Sequence, residues 1–137
     1  MMETITVQTE IDAPVGLVWK CWTTPDDIVG WNAASDDWHT PWAKNDLREG
    51  GRFTSRMEAK DGSVGFDFAG TYTKVIQYEC IEYKMDDDRG VKVKFESSGK
   101  KTNVIEQFEA ETINSVEMQK NGWQAILENF KKYVETI

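Results

Sequence analysis

Glu106 is the residue of this sequence with the clearest potential for chemistry. It alternates in phase with Val104 and Phe108, which mark one apolar face of a predicted strand. Burial raises the pKa of a carboxyl group, and a carboxyl group with a raised pKa can act as a general acid or base. Arg56 is out of phase with the inward positions of its own strand, so it is not expected to supply a pairing cation. A bulge or a strand end would instead place Glu106 in solvent, and the sequence leaves both alternatives open.

Two tyrosines and one histidine are the other candidates for proton transfer or ligand contact. Tyr72 and Tyr83 fall on apolar strand faces, where each hydroxyl would bond the other tyrosine, the backbone or a ligand. His39 is the single histidine and lies in an irregular segment. The preceding Asp36 and Asp37 would either orient its ring or simply solubilise the loop.

Sequence signatures of other kinds of site are missing. Gly50-Gly51 precede a strand and not a helix, so they predict a bend and no phosphate-binding loop. The acidic run 86–88 lacks the spacing of a calcium loop. Cys21 and Cys80 lie in apolar surroundings without zinc-binding spacing, and we expect them to be reduced and buried. We therefore assign no catalytic residue, no metal site and no cofactor.

Net charge and hydrophobic pattern limit the binding partners and the cellular location that we expect for this protein. The net charge of −8 and the pI of about 4.7 disfavour nucleic acid and anionic membrane surfaces. No apolar run approaches the roughly 20 residues of a membrane span. Residues 1–5 lack the basic and apolar regions of a secretory leader, so we expect a cytoplasmic protein. A chain of 137 residues predicts a single domain over 1–137.

The tryptophans are unevenly distributed. Five of the six lie between residues 19 and 42, and the sixth is Trp123, far along the chain. Tryptophan has the largest apolar side chain, and its N–H needs a partner when it is buried. The cluster is therefore expected to cover something broad and apolar, which is either a solid core or a cavity.

The first third of the chain predicts one strand and two short helices. Apolar residues alternate over 5–11, the period of a half-buried strand. Pro14 supplies a first-turn helix start, and Thr24 followed by Pro25 supplies a capped second one. The segment 32–45 has no period and is predicted to be a loop.

The rest of the chain predicts hairpin-linked strands and one closing helix. Apolar alternation returns at Phe53 and continues to Phe108, interrupted by turns, with Phe66 among the inward positions. Asn114 and the glutamate three residues later resemble a capping box. A helix of about 20 residues follows, and its apolar side is predicted to include Met118 and Trp123. Strands with helices on one face make an α+β fold.

Five short motifs occur in series along the chain. They are Asp12-Ala13-Pro14 with Val18-Trp19; Trp22-Thr23-Thr24-Pro25 with Trp31; Gly50-Gly51-Arg52-Phe53; Phe68-Ala69-Gly70-Thr71-Tyr72; and Gly122-Trp123 with Leu127, Phe130 and Tyr133. With these motifs the sequence resembles the START-like (SRPBCC, helix-grip) superfamily, and within it the heat shock protein 90 ATPase activator homologue C-terminal domain group. The resemblance implies a curved, seven-stranded antiparallel β-sheet wrapped around a long C-terminal α-helix. Two short helices after the first strand would close one end of a hydrophobic cavity.

The resemblance favours a cavity over a filled core, although periodicity alone gives no preference. The expected ligand-binding residues are the large or polar side chains on the inward faces and in the tryptophan cluster. They are Trp22, Trp31, Trp38, Phe53, Met57, Phe68, Tyr72, Tyr83, Met85, Phe95, Glu106, Trp123 and Leu127.

Three functions are compatible with this fold, because its members serve diverse roles. The first is binding of a hydrophobic small molecule, lipid-like or aromatic, in the cavity. The second is a protein-interaction module that resembles the co-chaperone domain that stimulates heat shock protein 90. The resemblance covers only the C-terminal half of that activator. The third is a cyclase- or hydrolase-type enzyme using Glu106, His39 or a tyrosine. We expect a binding protein, with no nucleic acid or membrane as its partner.

Overall fold

A computed structural model describes residues 3–137 of the chain. Met1 and Met2 lie outside the described residues. Both belong to the predicted 1–137 domain and to residues 1–5, where no secretory leader is expected. The helices and strands are β1 (Thr4–Ile11), α1 (Val15–Thr23), α2 (Pro25–Trp31), β2 (Trp38–His39), β3 (Ala43–Asn45), β4 (Arg52–Ala59), β5 (Gly65–Ile76), β6 (Cys80–Met85), β7 (Gly90–Ser98), β8 (Lys101–Glu109) and α3 (Val116–Thr136). Apart from β2 and β3, they follow the predicted order.

All the strands in the described part of the chain belong to one antiparallel sheet. Its order is β1-β8-β7-β6-β5-β4-β2, and β3 also pairs with β4. The sheet curls around α3, and the two short helices follow the first strand, so the predicted helix-grip fold is confirmed. The first strand lies beside the last one, because Thr4 pairs with Glu109 and Ile11 with Thr102. A register shift between Tyr72 and Lys74 marks a bulge in β5, a feature that bends a strand and increases its twist.

The segment 32–45 differs from the predicted loop. Within the described residues it contributes β2 and β3, so the sheet has eight strands and not the expected seven. These strands contain two and three residues. An alternation of apolar and polar residues cannot be recognised over so short a length, which explains why the sequence did not indicate them.

Helix α3 is predicted correctly except at its start. Ser115 is the N-cap, because its Oγ accepts a hydrogen bond from the Met118 N–H at 3.1 Å. Asn114 is not the cap: its N–H donates to the Glu111 carboxylate. Met118 is 61% exposed, contrary to the prediction. The adjacent Gln119 takes the buried position, where its side chain bonds the backbone N–H and C=O of Glu111 at 2.9 and 3.1 Å.

The two short helices are fixed to each other and to α3 by polar contacts. The Trp31 indole N–H donates to the Cys21 carbonyl at 3.0 Å. The Tyr133 hydroxyl on α3 donates to Asp27 Oδ1 at 2.6 Å, and Lys20 donates to Oδ2 of the same carboxylate at 3.0 Å. Thr24 occupies the N-cap of α2, but its side chain makes no capping bond, contrary to the prediction.

The state of the two cysteines and the character of the helices can be compared with the sequence predictions. Cys21 and Cys80 are both free thiols and both buried, as predicted. Among residues 3–137 no helix combines the length and the apolar character required to cross a membrane.

A candidate ligand-binding cavity

A cavity of about 200 Å³ lies between the inner face of the sheet and the three helices. Strands β4, β5 and β6 form one wall, with a contribution from β8. Helices α1, α2 and α3 form the opposite wall. The lining residues are Trp22, Ile28, Trp31, Asn32, Lys44, Asn45, Phe53, Ser55, Met57, Phe66, Phe68, Tyr72, Ile81, Tyr83, Glu106, Trp123 and Ile126.

Nine of the thirteen residues expected to bind a ligand line this cavity. They are Trp22, Trp31, Phe53, Met57, Phe68, Tyr72, Tyr83, Glu106 and Trp123. Strand alternation brings the sheet residues to one face, and the helical period brings the tryptophans opposite them. Their role in binding a ligand stays a prediction.

The other four expected residues lie elsewhere. Trp38 packs against the half-exposed Phe66, with ring centroids 6.1 Å apart, outside the cavity lining. Phe95, Leu127 and Met85 are buried in the core and do not line the cavity. Their inward phase was correct, but phase alone does not separate a residue packed against its neighbours from one that faces open space.

Several lining residues were not among the expected ligand contacts. Ser55 lies between Phe53 and Met57 on the inner face of β4, so its alternation did indicate the position. Lys44 and Asn45 belong to β3, which the sequence did not reveal. Phe66, predicted to point inward, is 50% exposed and lies at the cavity opening together with the exposed Lys44.

Glu106 is the carboxylic acid of the cavity wall. It pairs with Val7 of β1 and Val93 of β7 in regular register, so no bulge turns it outward. Its side chain is buried, with the residue only 5% exposed, and the alternative that it lies in solvent is wrong. Burial raises the pKa of the Glu106 carboxyl group to about 8.

The Glu106 carboxyl group has no polar partner among residues 3–137, because neither a hydrogen bond nor a charge offsets the effect of burial on its pKa. No enclosed side-chain oxygen or nitrogen in this part of the chain is without a hydrogen-bond partner. The Glu106 oxygens are therefore not sealed in the protein, and they open into the cavity.

The two tyrosines of the cavity differ in their partners. The Tyr72 hydroxyl donates to Asn45 Oδ1 at 2.6 Å, and the Asn45 amide in turn donates to the Thr23 carbonyl at 2.7 Å. Tyr83 is buried, and its hydroxyl makes no hydrogen bond within the described residues. Burial, followed by the nearby Glu106 carboxylate, raises the pKa of Tyr83 well above its ordinary value. Tyr83 thus offers a neutral hydroxyl to a ligand.

Aromatic contacts hold the cavity walls in place. The Trp22 and Trp31 rings are stacked with centroids 5.1 Å apart. The Phe53 and Tyr83 rings form a T-shaped pair, with centroids 4.7 Å apart and an interplanar angle of 75°. Rings packed in these geometries stabilise each other beyond simple area burial. The cavity therefore has a preformed shape.

His39 and Arg56 do not take part in the cavity. His39 Nε2 lies 3.8 Å from Glu58 Oε1 in a separate surface depression. Arg56 forms ion pairs with Glu58 and Asp67 on the outer side of the sheet, as its phase predicted. The structure does not bring His39 and Glu106 into one site. Residues 3–137 also contain no cluster of three or more His, Cys, Asp or Glu side chains suited to a metal ion.

Several solved structures are similar to this chain. An AHSA1-like protein from Aeromonas hydrophila, solved by NMR, shares 48% sequence identity at a TM-score of 0.92, over 98% of this chain and 93% of that one. A protein from Cytophaga hutchinsonii shares 47% identity at a TM-score of 0.84, over 97% and 92%. A crystal structure from Nitrosomonas europaea, at 17% identity and a TM-score of 0.82 over 97% and 94%, shares the fold.

The family comparison agrees with the motifs quoted from the sequence. No protein with a curated description matches the chain. A family model described as "Activator of Hsp90 ATPase homolog 1-like protein" matches residues 12–135, which include all five motifs. Family and fold support a ligand-binding or co-chaperone-like module. The chain belongs to the activator of Hsp90 ATPase homolog 1-like family, as the sequence resemblance predicted.

Proposed function

We propose that this protein binds an apolar small molecule in the cavity between its sheet and α3. The observation that carries the proposal is the combination of a mostly aromatic lining with the free Glu106 and Tyr83 groups on the sheet side. Small-molecule sites are concave and mainly apolar, and they use a few polar groups to fix the orientation of the ligand.

The size of the cavity restricts the ligand. An apolar cavity of roughly 150 Å³ holds a benzene molecule, and this cavity measures about 200 Å³. The ligand, or the part of it that enters, is therefore about one or two rings with a short substituent. A longer molecule would extend through the opening beside Phe66 and Lys44.

Ligand binding is testable by tryptophan fluorescence and thermal unfolding. Trp22, Trp31 and Trp123 line the cavity, so an aromatic ligand is expected to quench their emission. A ligand that binds only the native state also raises the melting temperature. A panel of small lipids and aromatic compounds should yield members that produce both signals.

A matched pair of variants locates the binding in the cavity. Ser55→Phe places a ring in the cavity and should abolish both signals, whereas Thr54→Phe, on the outer face of the same strand, should preserve them. If no compound of a chemically broad panel gave either signal at saturating concentration, the small-molecule proposal would be wrong.

The family description favours a second candidate, which is a protein-interaction module that acts on a chaperone. The test is the ATPase rate of purified heat shock protein 90 with and without this protein. A saturable increase in that rate, unaffected by Ser55→Phe, would support this candidate. An unchanged rate would remove it.

A further inference from the structure

We propose that the ligand of this cavity is an organic amine, a ring-bearing apolar molecule whose protonated nitrogen binds the Glu106 carboxylate. The inference rests on the proposed function and specifies the chemical class of the ligand. It starts from a carboxyl group that faces the cavity without a partner in the described part of the chain.

The groups around Glu106 do not supply its counter-charge. Tyr83 of β6 and Tyr72 of β5 are neutral phenols, and Tyr72 already donates to Asn45. Lys44 of β3 is the cationic lining residue, but it is exposed at the opening and its Nζ lies 5.5 Å from the Trp42 ring centroid. The lining residues from α1, α2, α3, β4 and the start of β6 are uncharged, as are the Val7 and Val93 neighbours on β1 and β7.

The walls of the cavity suit a cation. Ammonium groups are attracted to the faces of aromatic rings, and aromatic cages recognise amine ligands in this way. Trp22, Trp31, Phe53, Phe68 and Trp123 line the same cavity as the Glu106 carboxyl group. The net charge of −8 also raises the local concentration of cations near the protein.

Binding of an ammonium ion changes the protonation of Glu106. In the empty protein burial raises the pKa of the carboxyl group to about 8, so the group is mostly protonated at pH 7. When an ammonium ion enters, the carboxyl group releases its proton to water and the resulting carboxylate pairs with the N–H groups of the ligand. The affinity for an amine should therefore increase with pH up to about 8 and then level off, as long as the amine stays protonated.

For a ligand with a carbonyl or alcohol group, we expect the affinity to depend on pH in the opposite direction. Such a ligand would accept a hydrogen bond from the protonated Glu106 carboxyl group. Its affinity would be constant below the pKa of about 8 and would decrease at higher pH. The sign of the pH dependence therefore separates the two ligand classes.

The experiment uses three probes of similar shape: phenylethylamine, phenylethanol and phenylpropanoate. Tryptophan fluorescence titrations at pH 9, where most of the Glu106 carboxyl groups are ionised, should give a dissociation constant for the amine at least about tenfold lower than for the alcohol, because a charged hydrogen bond is stronger than a neutral one. Phenylpropanoate should bind most weakly. The amine affinity should increase by nearly tenfold between pH 6 and pH 7 and by about fivefold between pH 7 and pH 8, because the Glu106 carboxyl group has a pKa of about 8. Calorimetry in two buffers of different ionisation enthalpy should detect the released proton.

Glu106→Gln tests the residue assignment. The variant should lose the preference for the amine and its pH dependence, while phenylethanol still binds. Glu96→Gln, an exposed glutamate on β7, should behave like the parent. The probe series and the pH profile of the parent protein decide the proposal even if Glu106→Gln does not fold.

Two results would overturn the inference in distinguishable ways. If phenylethanol bound as tightly as phenylethylamine at pH 9, or if the amine affinity did not increase between pH 6 and pH 8, the amine would be the wrong class and the proposed cavity function would stand. If none of the probes bound and the broad panel also failed, both proposals would be wrong.

Discussion

The indole ring of Trp123 stacks on the phenyl ring of Phe108, with centroids 3.8 Å apart and ring planes inclined by 11°. Phe108 is fully buried in β8, two residues beyond Glu106 on the same face. Trp123 contributes its remaining surface to the cavity. This contact therefore joins α3 to the strand that carries the free carboxyl group.

Removing the Trp123 ring should weaken both the fold and the site. Trp123→Ala leaves Phe108 without its stacking partner, but part of the ring already faces open space. The free energy of unfolding should fall by about 2 kcal/mol, less than the roughly 3–5 kcal/mol for a tryptophan fully enclosed in a core. Urea unfolding measures this change. Ligand titration should show that the affinity for the ligand falls by a larger fraction than the stability does.

The matched control for Trp123 is Met118, which lies on the same helix and is 61% exposed. Met118→Ala should change the free energy of unfolding by no more than about 0.5 kcal/mol. A loss from Trp123→Ala as small as that would mean that the indole ring does not support the cavity wall.

The stability of the empty protein should depend on pH through Glu106. The pKa of Glu106 is about 8 in the folded protein, above its ordinary value of 4.5. Between these values the folded state holds a proton that the unfolded state has lost. Stability from this group is therefore complete below pH 4.5, falls by about 1.4 kcal/mol per pH unit as the pH rises, and levels off above about pH 8.

Glu106→Gln should remove this pH dependence. Urea unfolding at pH 5, 7 and 9 should find the variant increasingly more stable than the parent as the pH rises. Glu96→Gln, on the exposed side of β7, serves as the control and should follow the parent. Parallel pH profiles for the Glu106 variant and the parent would contradict the assigned burial of this carboxyl group.

The Asp27 carboxylate should link α2 to α3 mainly through Tyr133. Burial raises the pKa of Asp27, but the hydrogen bonds from Tyr133 and Lys20 outweigh it and lower the pKa below 3.8. Tyr133→Phe should reduce the free energy of unfolding at pH 7 by about 1–2 kcal/mol, because a hydrogen bond to a carboxylate is lost. The difference should shrink as the pH falls through the pKa of folded Asp27, where the carboxylate is protonated.

Lys20→Met is the comparison for this cluster. The Lys20 side chain is 61% exposed, so its ion pair with Asp27 should contribute less than about 1 kcal/mol. In thermal unfolding at pH 7, Tyr133→Phe should therefore lower the melting temperature more than Lys20→Met does. The reverse order would show that the ion pair between Lys20 on α1 and Asp27 on α2 contributes more to stability than the part-buried hydrogen bond between Asp27 and Tyr133 on α3.

Two glycines should respond to the same substitution with opposite signs. A Cβ on Gly70 of β5 would lie 2.5 Å from the Lys84 carbonyl oxygen and 2.9 Å from Phe53 Cε1. Gly70→Ala should therefore cost about 1–3 kcal/mol and displace the Phe53 ring at the cavity wall. A Cβ on Gly122 of α3 meets no atom within 4 Å, so Gly122→Ala should add about 0.5–1 kcal/mol. Urea unfolding of both variants checks the contrast.

The sequence predicted which side chains share a face, because alternation records the orientation of each residue along a strand. Glu106 falls in phase with Val104 and Phe108, and its burial together with the regular pairing of β8 with β1 and β7 decides between the two alternatives that the sequence left open. The sequence could not predict that the Glu106 carboxyl group has no partner within residues 3–137. That property depends on which residues the sheet register and the helices bring opposite it.

The errors occurred where local signals are short or equivalent. Asn114 and Ser115 are both good capping residues, and only the geometry of the chain selects Ser115. Trp38 belongs to a two-residue strand, so its separation from the cavity could not be foreseen. Phe95 and Phe53 have the same inward phase, yet only Phe53 borders open space.

The pairing of β1 with β8 has a consequence for folding. The Asp12 N–H also donates to Glu135 at 2.8 Å, so the segment after β1 is held by a residue that is synthesised much later. Contacts between such distant segments close large loops and place folding in the slower, millisecond-to-second range. Until β8 has been made, β1 lacks its partner, and its apolar residues Ile5, Val7 and Ile11 are open to association with other chains.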